Sequence, residues 1–344
     1  MARRTPRRTL SRDLYEQLIE RNLESFDWIN GGQTGPIKFI DLDQFEFAIS
    51  RARKGSLVAT LMINLTLDGI GQLIVPEHGG ACQYSTGPTW NRRNQLITLA
   101  GQAIVLQTLA LGASLRRRKA EFKMGCHINA FVEANAREIG LLSLCENQVE
   151  PDLSTGTQLR DNLWYAIALN QFGNAYNSRK LISAARQLFE SVSIIKTTDL
   201  EPRVDHTVVG PAFKLERIVA TAEALAHFGI TTTKPKLLQR AISVICSFAR
   251  RYADPQGGFT QVYGTQPSTE ALIDIDCTID LVRTCLALLR IIPDHRLWSI
   301  TRHGLSALFD PAVALARRPE TGILLIATEL EQVRAYDTAT ADET

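Results

Sequence analysis

Four carboxylates crowd one stretch of the chain. Glu270, Asp274 and Asp276 lie within Glu270-Ala271-Leu272-Ile273-Asp274-Ile275-Asp276-Cys277-Thr278, and Asp280 follows two residues later. The stretch opens a helical pattern, where free N–H groups and the helix dipole stabilise one or two negative charges. The remaining carboxylates are then available to hydrogen-bond a ligand, or for one of them, raised in pKa by apolar neighbours, to act as a general acid. A second group is Arg160-Asp161-Asn162-Leu163-Trp164, a polar trio ahead of an aromatic ring. His206 ends Glu201-Pro202-Arg203-Val204-Asp205-His206, where the adjoining acid raises its basicity. Asp161, His206, Asp274 and Asp276 are therefore the expected acid–base residues. Tyr84, Trp90, Trp164 and Tyr263 are the expected stacking residues, with Glu270, Arg92 and Arg93 as further substrate contacts. Each aromatic taken singly also fits core packing.

The six histidines are dispersed and show no metal-ligand spacing, and neither GxGxxG nor a P-loop occurs, so no metal or cofactor is expected. The six cysteines, Cys82, Cys126, Cys145, Cys246, Cys277 and Cys285, lack any CxxC and sit mostly in apolar runs. They read as buried thiols of a reducing compartment, and the expected location is cytoplasmic.

The elements that must hold these residues are helices. Apolar residues recur at spacings of three and four, and alternating strand patterns are almost absent. About twelve helices are expected, near 11–28, 41–53, 56–70, 91–112, 116–141, 159–175, 178–193, 211–228, 234–252, 270–291, 294–309 and 319–335. Their connections alternate between short and long, so if consecutive helices are antiparallel all six long loops emerge on one rim. Six such hairpins form an (α/α)6 barrel or toroid, with inner helices apolar nearly all round. An open solenoid is the rival, but it carries a repeat of about 34 to 47 residues that this chain lacks. Two long loops share a Gly pair, Gly79-Gly80 and Gly257-Gly258, that allows a sharp turn at a pocket mouth.

The 344 residues carry 38 Lys+Arg against 36 Asp+Glu and are 45% hydrophobic, which excludes disorder and coiled coil. A formal charge of +2 supplies no broad basic face, so nucleic acid is not an expected partner. No apolar run is long enough to span a membrane. Residues 1–12 form a basic arm holding Arg3, Arg4, Arg7, Arg8 and Arg12, a candidate handle for a protein partner. The expected organisation is that flexible arm, one barrel domain over 13–336 and an acidic tail over 337–344. A small-molecule substrate is expected in the barrel pocket.

The stretch His78-Gly79-Gly80-Ala81-Cys82-Gln83-Tyr84-Ser85-Thr86-Gly87-Pro88-Thr89-Trp90 resembles a loop of the six-hairpin barrel in thioredoxin-linked proteins of the spermatogenesis-associated type. Asp254 to Phe259 and Leu315 to Leu325 resemble it too. Those barrels are similar in fold to N-acylglucosamine 2-epimerases, so the resemblance implies sugar-like ligands and isomerase, epimerase or hydrolase chemistry. Where that family continues with a Pro-His-Phe-Glu type segment, this chain has Asn91-Arg92-Arg93-Asn94-Gln95, which favours an anionic ligand. Asp-Ile-Asp-Cys-Thr is also similar to the acidic motif of class II terpene cyclases, with Cys277 in place of the usual Asp. That resemblance implies proton-initiated cyclisation from Asp276. A barrel without chemistry, serving as a scaffold, is the third alternative.

Overall fold

The computed structural model describes residues 9–135, 155–193, 211–260, 273–316 and 320–342. They form helices α1 (Arg12–Glu24), α2 (Leu42–Arg53), α3 (Leu57–Ile70), α4 (Leu99–Ala113), α5 (Lys119–Asn135), α6 (Thr155–Ala175) and α7 (Arg179–Ser193). These are followed by α8 (Pro211–Thr231), α9 (Pro235–Tyr252), α10 (Ile275–Leu289), α11 (His295–Leu308), α12 (Pro311–Ala314) and α13 (Thr321–Asp342). Among the described residues strand pairing is limited to single antiparallel bridges, such as Lys38 with Ser85 and Ile74 with Ala81.

Local chemistry sets the helix starts. Asp41, Ser56, Thr98, Asp274, Asp294 and Asp310 each accept a hydrogen bond from a first-turn N–H of the helix that follows. Local hydrogen bonds correct three expected boundaries. α1 stops at Glu24 rather than near 28, because Asp27 Oδ1 accepts from the N–H groups of Ile29 and Asn30, a turn that competes with the helix. α4 starts at Leu99 rather than near 91, since Arg93 bridges to Ser85 and Thr98 supplies the cap. α10 starts at Ile275, just after its Asp274 cap. The single turn α12 was not expected; Asp310 caps it and Pro311 presets its first residue.

Contacts divide the chain into two compact units, Ser25–His206 and a second built from Met1–Glu24 with Thr207–Thr344. In the first, α4 packs on α2, α3, α5 and α6, and α6 packs on α7. In the second, α10 packs on α8, α11 and α13, while α9 packs on α8 and α11. α4 and α10 are buried on nearly every face, as expected of inner helices. The exceptions on α4 are Ala100, Ile104, Gln107 and Leu111, a single stripe at spacings of three and four. On α10 the stripe consists of Asp276, Asp280, Arg283 and Ala287. α9 instead buries one face, with Leu238, Ala241, Ile242, Ile245 and Phe248.

Close approach between α5 and α6 depends on Gly125. A Cβ there would stand 2.1 Å from the ring of Phe172, which is fully buried against Phe122 and Tyr176. Burying one such ring stabilises the fold by about 1.5–3 kcal/mol.

Candidate functional site

In the Ser25–His206 unit, two of the long loops are held by buried polar side chains. Lys38 is fully buried; its Nζ donates to Asp27 Oδ2, to Gln33 O at 2.8 Å and to Gly31 O at 3.1 Å. Gln102, buried in the first turn of α4, accepts from the Ala81 N–H at 2.8 Å and donates to the Ala81 carbonyl at 2.7 Å. Of the expected Gly pair, Gly79 has φ +82° and its position would drive a Cβ to 2.9 Å from His127 Cβ. In the other unit both Gly257 and Gly258 have positive φ, as that reading requires.

The Gly79 loop walls a cavity of about 430 Å³, lined by Glu77, His78, Arg93, Asn94 and Gln95 together with Val75, Cys82 and Ile97. Arg93 reaches it with its Nη1 donating to Ile74 O at 2.7 Å, Arg92 is exposed beside it in sequence, and Tyr84 is half-buried. Trp90 corrects an expectation. Its indole is buried, donates from Nε1 to Asn30 O at 2.7 Å, and lies where a Cβ on Gly69 would stand 2.3 Å from Nε1. It packs the two loops onto α3 and presents no open ring face.

On α6, Arg160 Nε meets Asp161 Oδ1 at 2.9 Å, and the guanidinium carbon stands 4.8 Å from the centroid of the half-buried Trp164 ring. Arg160, Asp161 and Trp164 thus stand together. Asn162, the third member of the expected trio, is fully buried. One turn on, Tyr165 donates from its buried hydroxyl to Asn129 Oδ1 at 3.1 Å, and burial foremost, with the Glu133 charge adding, pushes that hydroxyl far above its ordinary pKa.

In the second unit the acidic stretch separates into two jobs. Asp274 is the α10 cap, its Oδ1 accepting from Cys277 N–H at 3.0 Å. Asp276, Asp280 and Arg283 continue along the one stripe of α10 that is not buried. Arg283 then crosses to α13, donating from Nε at 3.1 Å and Nη2 at 2.9 Å to Glu329 Oε1, a pair whose side chains are 21% and 17% exposed. The buried Cys277 thiol is pushed far up in pKa, by burial first and then by the charges of Asp274, Asp280 and Glu216. Asp276 is exposed. An alkene-protonating acid must be desolvated, so this exposure lends the cyclase-like expectation no support. His206, Tyr263 and Glu270 lie outside the described residues.

Sequence reasoning missed Arg283 and Glu329. The first had a signal, since Asp276, Asp280 and Arg283 repeat at four and three inside an otherwise apolar helix. Glu329 had none, because 46 residues separate it from its partner. Among the described residues no grouping of His, Cys, Asp or Glu could hold a metal ion, and no helix is long and apolar enough to cross a membrane. The described cysteines are free thiols, all buried or half-buried, as the sequence led us to expect.

No protein-family model matches the sequence and no curated protein matches it. Solved structures do match. The cellobiose 2-epimerase from Spirochaeta thermophila has a TM-score of 0.67 at 13% identity over 96% of this chain and 98% of its own. A sugar epimerase from a ruminal bacterium gives 0.66 at 11% identity over 85% and 84%. A GH76 alpha-mannanase from Bacteroides thetaiotaomicron gives 0.61 at 10% identity over 96% and 97%. The fold is an (α/α)6 barrel. At such identities the likeness establishes the fold alone.

Proposed function

We propose that the protein binds a carbohydrate-like polyol and acts on it as an isomerase or epimerase, with hydrolysis as the alternative outcome on the same site. One observation carries this reading: the α10 stripe, where Asp276 and Asp280 stand with an Arg283 guanidinium fixed by Glu329 on a helix otherwise buried. Structural neighbours that process cellobiose, mannose and mannan share this barrel, which supports the sugar class.

The chemistry such a stripe supports is proton transfer next to a carbonyl. In an open-chain sugar, a carboxylate takes the proton from C2, and the electron pair moves to the carbonyl oxygen as an enediolate. Asp280, half-buried, serves as that base, and Arg283 stands ready to stabilise the developing oxyanion. Return of the proton to C2 from the other face gives the epimer; return to C1 gives the ketose. Arg160, Asp161 and Trp164 form a second group suited to hydroxyls and a sugar ring face. Tyr84, Arg92, Arg93, His206, Tyr263 and Glu270 remain candidate contacts on the same reading. The free buried thiols support a reducing compartment such as the cytoplasm.

The test is incubation with D-mannose, cellobiose and mannan oligosaccharides, with products followed by proton NMR in heavy water. Conversion with deuterium entering at C2, abolished by Asp280→Asn and by Arg283→Ala in folded variants, supports the assignment. Absence of both turnover and saturable sugar binding sinks it.

A further inference from the structure

Far from the α10 stripe in chemistry and lined by different helices, a cavity of about 340 Å³ opens between α11 and α13. Four of its residues, His295, Trp298, Arg302 and Leu305, fall at spacings of three and four along one face of α11. Leu330 and Arg334, one turn apart, supply the α13 side. Leu305 and Leu330 are buried and form an apolar floor, Trp298 is half-buried, and His295, Arg302 and Arg334 are exposed. Arg302 is oriented by its Nε, which donates to the Trp298 carbonyl at 3.3 Å.

Among the described residues the lining of this groove holds two guanidinium groups and an imidazole and no carboxylate, in a chain whose acids and bases are otherwise nearly balanced. The volume falls in the range of small-molecule sites, about 300–1,000 Å³. A half-buried indole beside arginines offers a ring platform next to a fork of N–H donors that matches a phosphate or carboxylate.

We infer that the α11–α13 groove binds a small aromatic oxyanion, an aryl or heteroaryl phosphate or carboxylate, with the ring against Trp298 and the anion at Arg302, the α13 residues forming the facing wall. This site is independent of the sugar-processing reading, since none of the α10 stripe residues lines it, and it requires no reaction.

Phenyl phosphate is the probe, titrated into the full-length protein by isothermal calorimetry, with phenol and inorganic phosphate as half-ligands. The expected result is saturable binding of phenyl phosphate with a dissociation constant below about 1 mM. Each half-ligand should bind about tenfold more weakly or worse, because it satisfies only one part of the groove. Arg302→Ala, which removes an exposed side chain, should weaken phenyl phosphate about tenfold, and Arg302→Lys should restore part of it. Trp298→Phe should keep most of the affinity and Trp298→Ala should lose it. Lack of saturable phenyl phosphate binding overturns the inference. So does affinity unchanged by Arg302→Ala, or inorganic phosphate binding as tightly as the aryl ester.

Discussion

Lys38 pairs with Asp27 through an ammonium group that has no exposure to solvent, while the carboxylate keeps 14% of its own. A buried cation is tolerable only when every proton has an acceptor, and here Asp27, Gly31 O and Gln33 O provide three. The pair ties the ends of the loop between α1 and α2 together. Lys38→Met should therefore destabilise the protein by about 3–5 kcal/mol, because Asp27 and two carbonyls lose their donor. Chemical denaturation of the variant against the parent measures it.

Asp27 also predicts acid behaviour. Burial raises its carboxyl, but hydrogen bonds from Lys38, Asn30 and Ile29 outweigh that and hold it at about 2. A carboxyl depressed in the folded state contributes stability above its unfolded pKa of about 3.9, and that contribution is lost as pH falls toward about 2. Asp27→Asn should remove this segment of the acid-unfolding curve. A variant curve that keeps the parent's slope between pH 4 and 2 would contradict the assignment.

His227 works in the next pH window up, with the same sign. Burial lowers it to about 4, so the folded protein keeps it neutral where the unfolded chain, at about 6.5, takes up a proton. The unfolded state then binds more protons between those values, and stability should fall as pH drops from about 6.5 to about 4. His227→Gln should flatten that limb, read as melting temperature against pH.

Capping and catalysis are separable on α10. Asp274→Ala should cost about 1 kcal/mol of stability through loss of the cap, and Asp274→Ser should restore it. If Asp274 acts only as a cap, sugar turnover per folded molecule should not differ between the two variants, whereas Asp280→Asn should abolish turnover with little change in melting temperature.

Gly69 has no room for a methyl group, since a Cβ would sit 2.3 Å from Trp90 Nε1 and 2.6 Å from its Cδ1. Gly69→Ala should displace the indole, break its bond to Asn30 O and destabilise by about 3 kcal/mol or more. The change should register as loss of the Trp90 near-ultraviolet circular dichroism signal as well as a lower melting point.

The hairpin architecture was readable because its signal is local: apolar spacing of three and four, and links that alternate in length, need no knowledge of distant residues. Boundaries were less readable where the apolar pattern runs on but a side chain ends the helix early, as Asp27 does after α1 and Thr98 before α4. Trp90 shows the deeper limit. It reads as a stacking ring, yet its surroundings are set by Gly69 and Asn30, well away from it in sequence. Arg283 and Glu329 illustrate the same point in the candidate site, because charge partners 46 residues apart leave no pattern in the chain. Asp161 and Trp164, three apart on one helix, were found together.

The contact between Gly125 and Phe172 constrains how this sequence can drift. A methyl group at position 125 cannot enter while the ring remains, since only 2.1 Å is available. Shortening the side chain at 172 first would open a hole, costing stability by about 3–5 kcal/mol, that a later alanine at 125 could partly refill. The two positions are thus coupled, and the path open to substitution runs in one order, ring before methyl.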